Sequence, residues 1–305
     1  MVPGERTLVA HTAGPRQRGR QAGAGGVKVL VFGVSGQVAT HLNQHDWVTG
    51  LGREQADLSD SETCAAIIRD SDADAIINAA AYTAVDRAES EPDLARRVNA
   101  TTPGAMAQAA ADRDIPFLHI STDYVFDGQG EDPFRPDASP GPLNVYGRTK
   151  LAGEEAVRGA GGRHAILRTS WVFSAHGMNF AKSMLRLPET RDALTIVEDQ
   201  IGGPTPAGAI ADALMIMARA IADGQGGGTY PFAGAPDTSW KCLARETFVA
   251  AGRDVKIIGI PTADYPTPAR RPLNSRLDCS DLASDFGVTR PDWKAALRDI
   301  VKELT

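Results

Sequence analysis

The sequence predicts an α/β fold, a doubly wound parallel sheet with helices on both faces. Two observations carry this. Short apolar runs of buried-strand type recur along the first half of the chain, separated by longer stretches with helical spacing. The first run ends in a glycine turn, Gly33-Val34-Ser35-Gly36, which lets a strand pass tightly into a helix. The 305 residues are 42% hydrophobic and 23% charged, enough for the core of one large or two modest domains.

Residues 1–26 hold six of the 31 glycines, together with Arg6, Arg16, Arg18 and Arg20, and show no apolar periodicity. Their longest apolar run, Leu8-Val9-Ala10, is too short for the core of a signal peptide. The stretch reads as a disordered extension, with a targeting segment as the alternative. Folding then begins at Val27. Strands are predicted at 27–32, ending near 51–53, and at 75–78, 117–120 and 164–168. Helices are predicted at 61–69, at 91–113 with Pro92 in the first turn, and at 149–157. Beyond these the pattern loosens. A helix at 207–222 precedes a glycine loop at 224–228, and further helices fit 239–251 and 293–304. Pro261, Pro266, Pro268 and Pro272 mark a long irregular segment between those two. No internal repeat is visible.

Charge and cysteine content remove several functional classes. The net charge is 32 − 38 = −6, which argues against a protein held to nucleic acid by phosphate contacts. No apolar run approaches the ~20 residues of a membrane helix. Cys64, Cys242 and Cys279 are odd in number and widely spaced, so no disulfide framework or CxxC metal site is predicted. Unpaired thiols suit a reducing cytoplasm.

The glycine turn extends to Gly33-x-x-Gly36-Gln37-Val38-Ala39, between a strand and a helix. Glycines there let backbone N–H groups approach a pyrophosphate, so the turn predicts a dinucleotide site. At the end of the second strand a carboxylate commonly holds the ribose 2′-hydroxyl of NAD. Gly52 and Arg53 stand there instead, and a guanidinium suits a 2′-phosphate, favouring NADPH while leaving NADH open. Asp57 and Leu58 follow and could bracket the adenine. The small residues Ala79, Ala80 and Ala81 after the third strand would let a cofactor lie close to the backbone.

Two segments carry the chemistry. Ser121-Thr122-Asp123-Tyr124 ends the fourth strand, and Tyr146-Gly147-Arg148-Thr149-Lys150 opens a helix. A spacing of four puts Tyr146 and Lys150 on one helical face. An ammonium and a nicotinamide cation beside the phenol would lower its pKa toward working pH. Tyr146 would then pass a proton to a carbonyl oxygen while hydride reaches the carbon, with the Thr122 hydroxyl on the same oxygen.

With these segments in place, the chain from Val27 onward resembles the dTDP-4-dehydrorhamnose reductase family of the extended short-chain dehydrogenase/reductases. The likeness lies in the glycine turn, in Asn78-Ala79-Ala80-Ala81-Tyr82-Thr83-Ala84-Val85-Asp86 and in Ser121-Thr122-Asp123-Tyr124-Val125-Phe126. It continues in Asn144-Val145-Tyr146-Gly147-Arg148-Thr149-Lys150, Arg168-Thr169-Ser170-Trp171 and Asp199-Gln200-x-Gly202-x-Pro204-Thr205. The resemblance implies a Rossmann-type cofactor domain over 27–172, completed by parts of 194–232. A smaller substrate lobe would occupy most of 173–305.

It also implies reduction of the 4-keto group of dTDP-4-dehydro-β-L-rhamnose by NAD(P)H. Tyr146, Lys150 and Thr122 would be catalytic. Gly33, Gly36, Gln37, Val38, Arg53, Asp57, Leu58, Ala80, Ala81, Tyr82 and Thr83 would meet the cofactor. Thr122, Asp123, Tyr124 and Trp171 would meet the sugar nucleotide, as would Asn179 and, through its diphosphate, Arg271.

Two departures from the family pattern bear on assembly and reaction type. Some members dimerise through Mg²⁺ held by glutamates, one of them in the helix after the glycine turn, where this chain has His41. That leaves room for a homodimer but speaks against a metal-bridged one, and leaves any need for Mg²⁺ open. A 4,6-dehydratase needs an acid after the Thr-Asp pair, where this chain has Tyr124. Two other readings stay open: a reductase of another dTDP-4-keto-6-deoxy sugar, and a binding subunit like the regulatory β-subunit of methionine adenosyltransferase.

Overall fold

The computed structural model describes residues 26–187 and 193–305. The predicted disordered extension lies outside the described residues, apart from Gly26.

Six parallel strands form the central sheet: β1 (Val29–Phe32), β2 (Val48–Leu51), β3 (Ala75–Asn78), β4 (Phe117–Thr122), β5 (His164–Thr169) and β10 (Gly228–Phe232). Their spatial order is β10-β5-β4-β3-β1-β2. Alternate residues of each strand face opposite layers. Val29, Val31, Ile77, Leu118 and Leu167 pack under helix α8 (Ala207–Ala222). Leu30, Phe32, Ile76, Phe117 and Ile166 pack on the other face, against α2 (Ser61–Asp70) and α5 (Thr102–Asp112). Both faces are covered, which explains the uninterrupted apolar runs of these strands.

Helix α1 (Gln37–Leu42) follows the glycine turn. Gly33 has φ +123°, a conformation side chains rarely adopt. The predicted helix at 91–113 is three pieces: α4 (Pro92–Arg96), a π-helical turn at Arg97–Thr101, and α5. Helix α6 (Val145–Gly159) starts four residues before its predicted position, because the Asn144 side chain accepts from Gly147 N at 2.8 Å and caps it. Both Tyr146 and Lys150 therefore stand within its first two turns.

The strand β10 was not foreseen. Pro231 interrupts its sequence signal, yet a proline is tolerated on the outermost strand of a sheet. Also unforeseen is a two-stranded parallel sheet of β7 (Ala193–Val197) and β12 (Lys256–Ile260). It packs with α7 (Phe180–Arg186) and α9 (Trp240–Ala250) through Leu194, Ile196, Met184 and Phe248. Short strands β6 (Val172–Phe173) and β9 (Thr205–Pro206) pair with each other, and β8 (Ile201–Gly202) joins β11 (Thr238–Ser239) to β13 (Asn274–Ser275). The chain ends in α11 (Trp293–Leu304), over the predicted span, with Trp293 fully buried.

Candidate active site

The carboxyl ends of β1, β3, β4 and β5 open into a cavity of about 750 Å³. Its position fits the rule that ligands of open parallel sheets bind beyond the carboxyl ends of the strands. One wall is the glycine turn, with Gly33, Gly36, Gln37 and Val38. Opposite stand Ala80, Ala81 and Thr83, and the floor carries Thr122, Asp123, Tyr124, Tyr146 and Lys150. Arg53 and Trp171 also reach it.

The structure therefore joins most of the predicted site residues. Asp57, Leu58 and Tyr82 are not on its wall. Asp57 accepts from Ser59 N at 2.8 Å and pairs with Arg53 Nε at 3.2 Å, while Leu58 is buried beneath α5. Tyr82 donates from its hydroxyl to Glu91, and its backbone N–H and carbonyl are both held by the Asn99 side chain. That clamp fixes the loop at 79–83. Asn99 lies in the π-helical turn and also donates to Thr149 Oγ1 in α6.

Asn179 is not among the residues that line the cavity either. Its Oδ1 caps α7, and its Nδ2 donates to Gln37 Oε1 and to Ser174 O. Both N–H groups of the amide are thus committed within the fold. Sequence reasoning missed this tie, in which Gln37 of the glycine turn also donates to Val172 O.

Tyr146 and Thr122 share the cavity floor, and Tyr124 packs edge-on to Tyr146 at 5.7 Å. Burial pushes the Tyr146 phenol up to about 12, against the pull of Thr122. Lys150 Nζ donates to Ile120 O at 2.7 Å and lies 3.1 Å from His119 Nε2. Burial lowers the Lys150 ammonium to about 8, opposed by Glu154. It also raises the Asp123 carboxyl to about 6, against the hydroxyls of Ser275 and Thr122.

A buried ion pair braces this floor. Arg168 makes a two-pronged bond to Glu154 at 2.9 and 2.7 Å, and Ser121 donates to the same carboxylate at 2.6 Å. Gly147 is required by close packing, since a Cβ there would collide with the Tyr124 carbonyl.

A second cavity of about 570 Å³ adjoins the first, sharing Tyr124 and Trp240 as walls. Met184, Leu194, Gln200, Tyr265 and Arg271 line it. Arg271 is gripped by Asp86, at 2.5 and 2.8 Å. No motif pointed to Trp240, the first residue of an ordinary-looking helix.

A Cβ on Gly36 would find its nearest neighbours 3.9 Å away, so the turn opens freely onto the cavity. Thr169 Oγ1 and Asp123 Oδ2, both buried in cavity-lining residues, have no hydrogen-bond partner. These features suit a ligand that brings phosphate oxygens and hydroxyls. Among the described residues, no group of three His, Cys, Asp or Glu side chains could hold a metal ion, and His41 faces His176 at 5.4 Å. No described helix is long and apolar enough to cross a membrane.

The model of the RmlD substrate binding domain family matches residues 27–305. A dTDP-4-dehydrorhamnose reductase of Sinorhizobium fredii is 44% identical over 286 residues, 90% of this chain and 97% of that one. The chain belongs to this family. An Escherichia coli dTDP-4-dehydrorhamnose reductase is 40% identical, over 91% of this chain and 98% of its own. Among solved family members, the Clostridium acetobutylicum protein superposes with a TM-score of 0.84 at 31% identity, over 90% of this chain and 99% of its own. The Bacillus anthracis reductase, solved in complex with NADP, gives 0.83 at 30% identity, over 91% and 99%. The α/β fold with a parallel central sheet agrees with the prediction.

Proposed function

We propose that this protein reduces the 4-keto group of dTDP-4-dehydro-β-L-rhamnose to give dTDP-L-rhamnose, with NADPH as the preferred reductant. The observation that carries this reading is the meeting of Tyr146, Lys150 and Thr122 at the end of β4, on the floor of a cavity walled by the glycine turn. The identity to dTDP-4-dehydrorhamnose reductases over nearly their whole length supports the substrate class.

A nicotinamide bound in this cavity would supply the hydride. Tyr146 donates its phenolic proton to the oxygen at C4, and Thr122 hydrogen-bonds the same oxygen. Its phenol is kept protonated by burial, as a proton donor requires. Lys150, four residues along the same helix face, stabilises the phenolate left behind. Gly33, Gly36, Gln37 and Val38 carry the pyrophosphate, and Ala80, Ala81 and Thr83 line the path of the cofactor. Arg53, with its side chain 82% exposed at the cavity edge, takes the 2′-phosphate.

The second cavity takes the nucleotide of the substrate, with Arg271 toward its diphosphate, and Tyr124, Asp123 and Trp171 stand where the two ligands meet. The division of labour is then 27–172 with α8 and β10 for the cofactor, and the remainder for the sugar nucleotide. Three unpaired cysteines agree with a cytoplasmic enzyme.

The test mixes the purified protein with NADPH and enzymatically prepared dTDP-4-dehydro-L-rhamnose and follows loss of reduced-nicotinamide absorbance. Oxidation dependent on the sugar nucleotide is expected; its absence with both NADPH and NADH overturns the reading.

A further inference from the structure

Behind the cavity floor lies a chain of three side chains, Asn78, His119 and Lys150, each almost fully buried. The reaction scheme uses only the last. The Ala80 backbone N–H donates to Asn78 Oδ1 at 3.2 Å. A backbone N–H can only donate, so this contact fixes which end of the Asn78 amide is oxygen. The Nδ2 end then faces His119 Nδ1 at 3.2 Å, and Nδ1 must accept. Burial holds His119 neutral, and a neutral imidazole carries a single N–H. That proton is left on Nε2, which faces Lys150 Nζ at 3.1 Å. An ammonium offers three donors and no lone pair, whereas an amine can accept one hydrogen bond and still donate to the Ile120 carbonyl.

We propose that Asn78 and His119 are positioning residues that present an N–H donor to Lys150 and so park it as an uncharged amine until a dinucleotide enters the cavity. This rests on the reading of that cavity as a dinucleotide site. Burial acts in the same direction on Lys150. The titratable groups facing Lys150 are His119 of β4, Tyr146 one turn back in α6, and Glu154 one turn on. Glu154 favours the ammonium, but its carboxylate is already engaged by Arg168 of β5 and by Ser121. A polyanionic ligand in the cavity favours the charged lysine, so binding takes up a proton from solvent.

Two measurements on the whole, cofactor-free chain decide it. Nitrogen NMR of isotopically labelled histidine, with His119 assigned by its loss in His119→Gln, reads the tautomer directly. The Nε2–H form is expected; an Nδ1–H form or an imidazolium overturns the proposal. Calorimetric titration with NADH, which has no 2′-phosphate to titrate, is run near pH 8 in buffers of different ionisation heat. Uptake of up to about one proton is expected. The uptake should vanish in Asn78→Asp, whose carboxylate accepts from Nδ1–H and turns Nε2 into an acceptor for the ammonium. No uptake in the unmodified protein, or unchanged uptake in a folded Asn78→Asp, overturns the proposal. If that variant does not fold, the unmodified protein still decides through both readouts. Neither measurement involves turnover, so a protein that binds the dinucleotide yet leaves the sugar nucleotide unreduced defeats the proposed reaction alone.

Discussion

The indole of Trp171 stacks on that of Trp240 with ring centroids 3.7 Å apart and planes within 14°. Trp171 holds this pose from a left-handed backbone, φ +49°, which costs a non-glycine residue roughly 1–3 kcal/mol. Phe180 leans on Trp240 at 4.7 Å, and the Trp240 indole N–H donates to Gln200. The pair is thus a fixed wall between the two cavities. An aromatic pair is worth about 0.5–1.5 kcal/mol beyond its buried area. Trp240→Ala should therefore raise KM for the sugar nucleotide by roughly 3- to 10-fold. Steady-state kinetics checks this, and the KM for NADPH should change less.

Tyr146→Phe removes the proposed proton donor while keeping the ring. Its kcat should fall by about 100-fold or more, the usual contribution of a positioned acid. Dinucleotide affinity, read by fluorescence titration, should stay within a few-fold. A variant that keeps full kcat would show that the proton comes from elsewhere.

Arg53 is mostly exposed, and its partner is Asp57 on the next turn of chain. Screening leaves that surface pair with little effect on stability. Arg53→Ala should leave the melting temperature nearly unchanged and raise KM for NADPH about 10-fold, with KM for NADH unaffected. An unchanged preference between the two would remove Arg53 from cofactor selection.

Asp123 titrates at about 6 in the fold, well above the ordinary carboxyl value, because it is buried. Between about pH 4 and pH 6 the unfolded chain has lost this proton and the folded chain still holds it. The residue thus lowers stability progressively across that window, and fully above it. Asp123→Asn should stabilise the protein at neutral pH, by up to about 3 kcal/mol. Near pH 4 it should do little. Urea unfolding at the two pH values measures the difference, and an equal effect at both would contradict the raised pKa.

The Arg168–Glu154 pair is almost wholly buried, with side chains 4% and 0% exposed. Removing one partner strands a charge in the interior. Arg168→Met should destabilise the fold by about 3–5 kcal/mol, seen as a lower denaturation midpoint, whereas Arg158→Met at the exposed end of the same carboxylate should lose far less.

The sheet was legible where apolar runs were continuous, as in Ala75–Asn78 and Phe117–Thr122, because strands buried on both faces have no polar alternation to hide them. It was illegible at β10, where Pro231 suppresses the signal, and at β7 and β12, where Thr195 and Gly259 interrupt short apolar runs. In the site, Tyr146, Lys150 and Thr122 could be found because their chemistry depends on spacing along one helix and one strand end. Trp240, His119 and Asn99 could not, since each acts through a contact distant in sequence. Asn179 is a polar residue whose two N–H groups and helix cap tie α7 to Gln37 of the glycine turn, a contact its position in the sequence does not announce.

The π-helical turn at Arg97–Thr101 gives the helical run one residue more than an α-helix needs, and Asn99 sits at that surplus. It works as a registration mark, setting the loop at 79–83 against the helix that bears Tyr146 through one amide that grips Tyr82 and Thr149 together. Shortening the turn by a single residue would restore α geometry and swing Asn99 by about 100° around the helix axis. The two walls of the cavity would then keep their own folds and lose their alignment to each other.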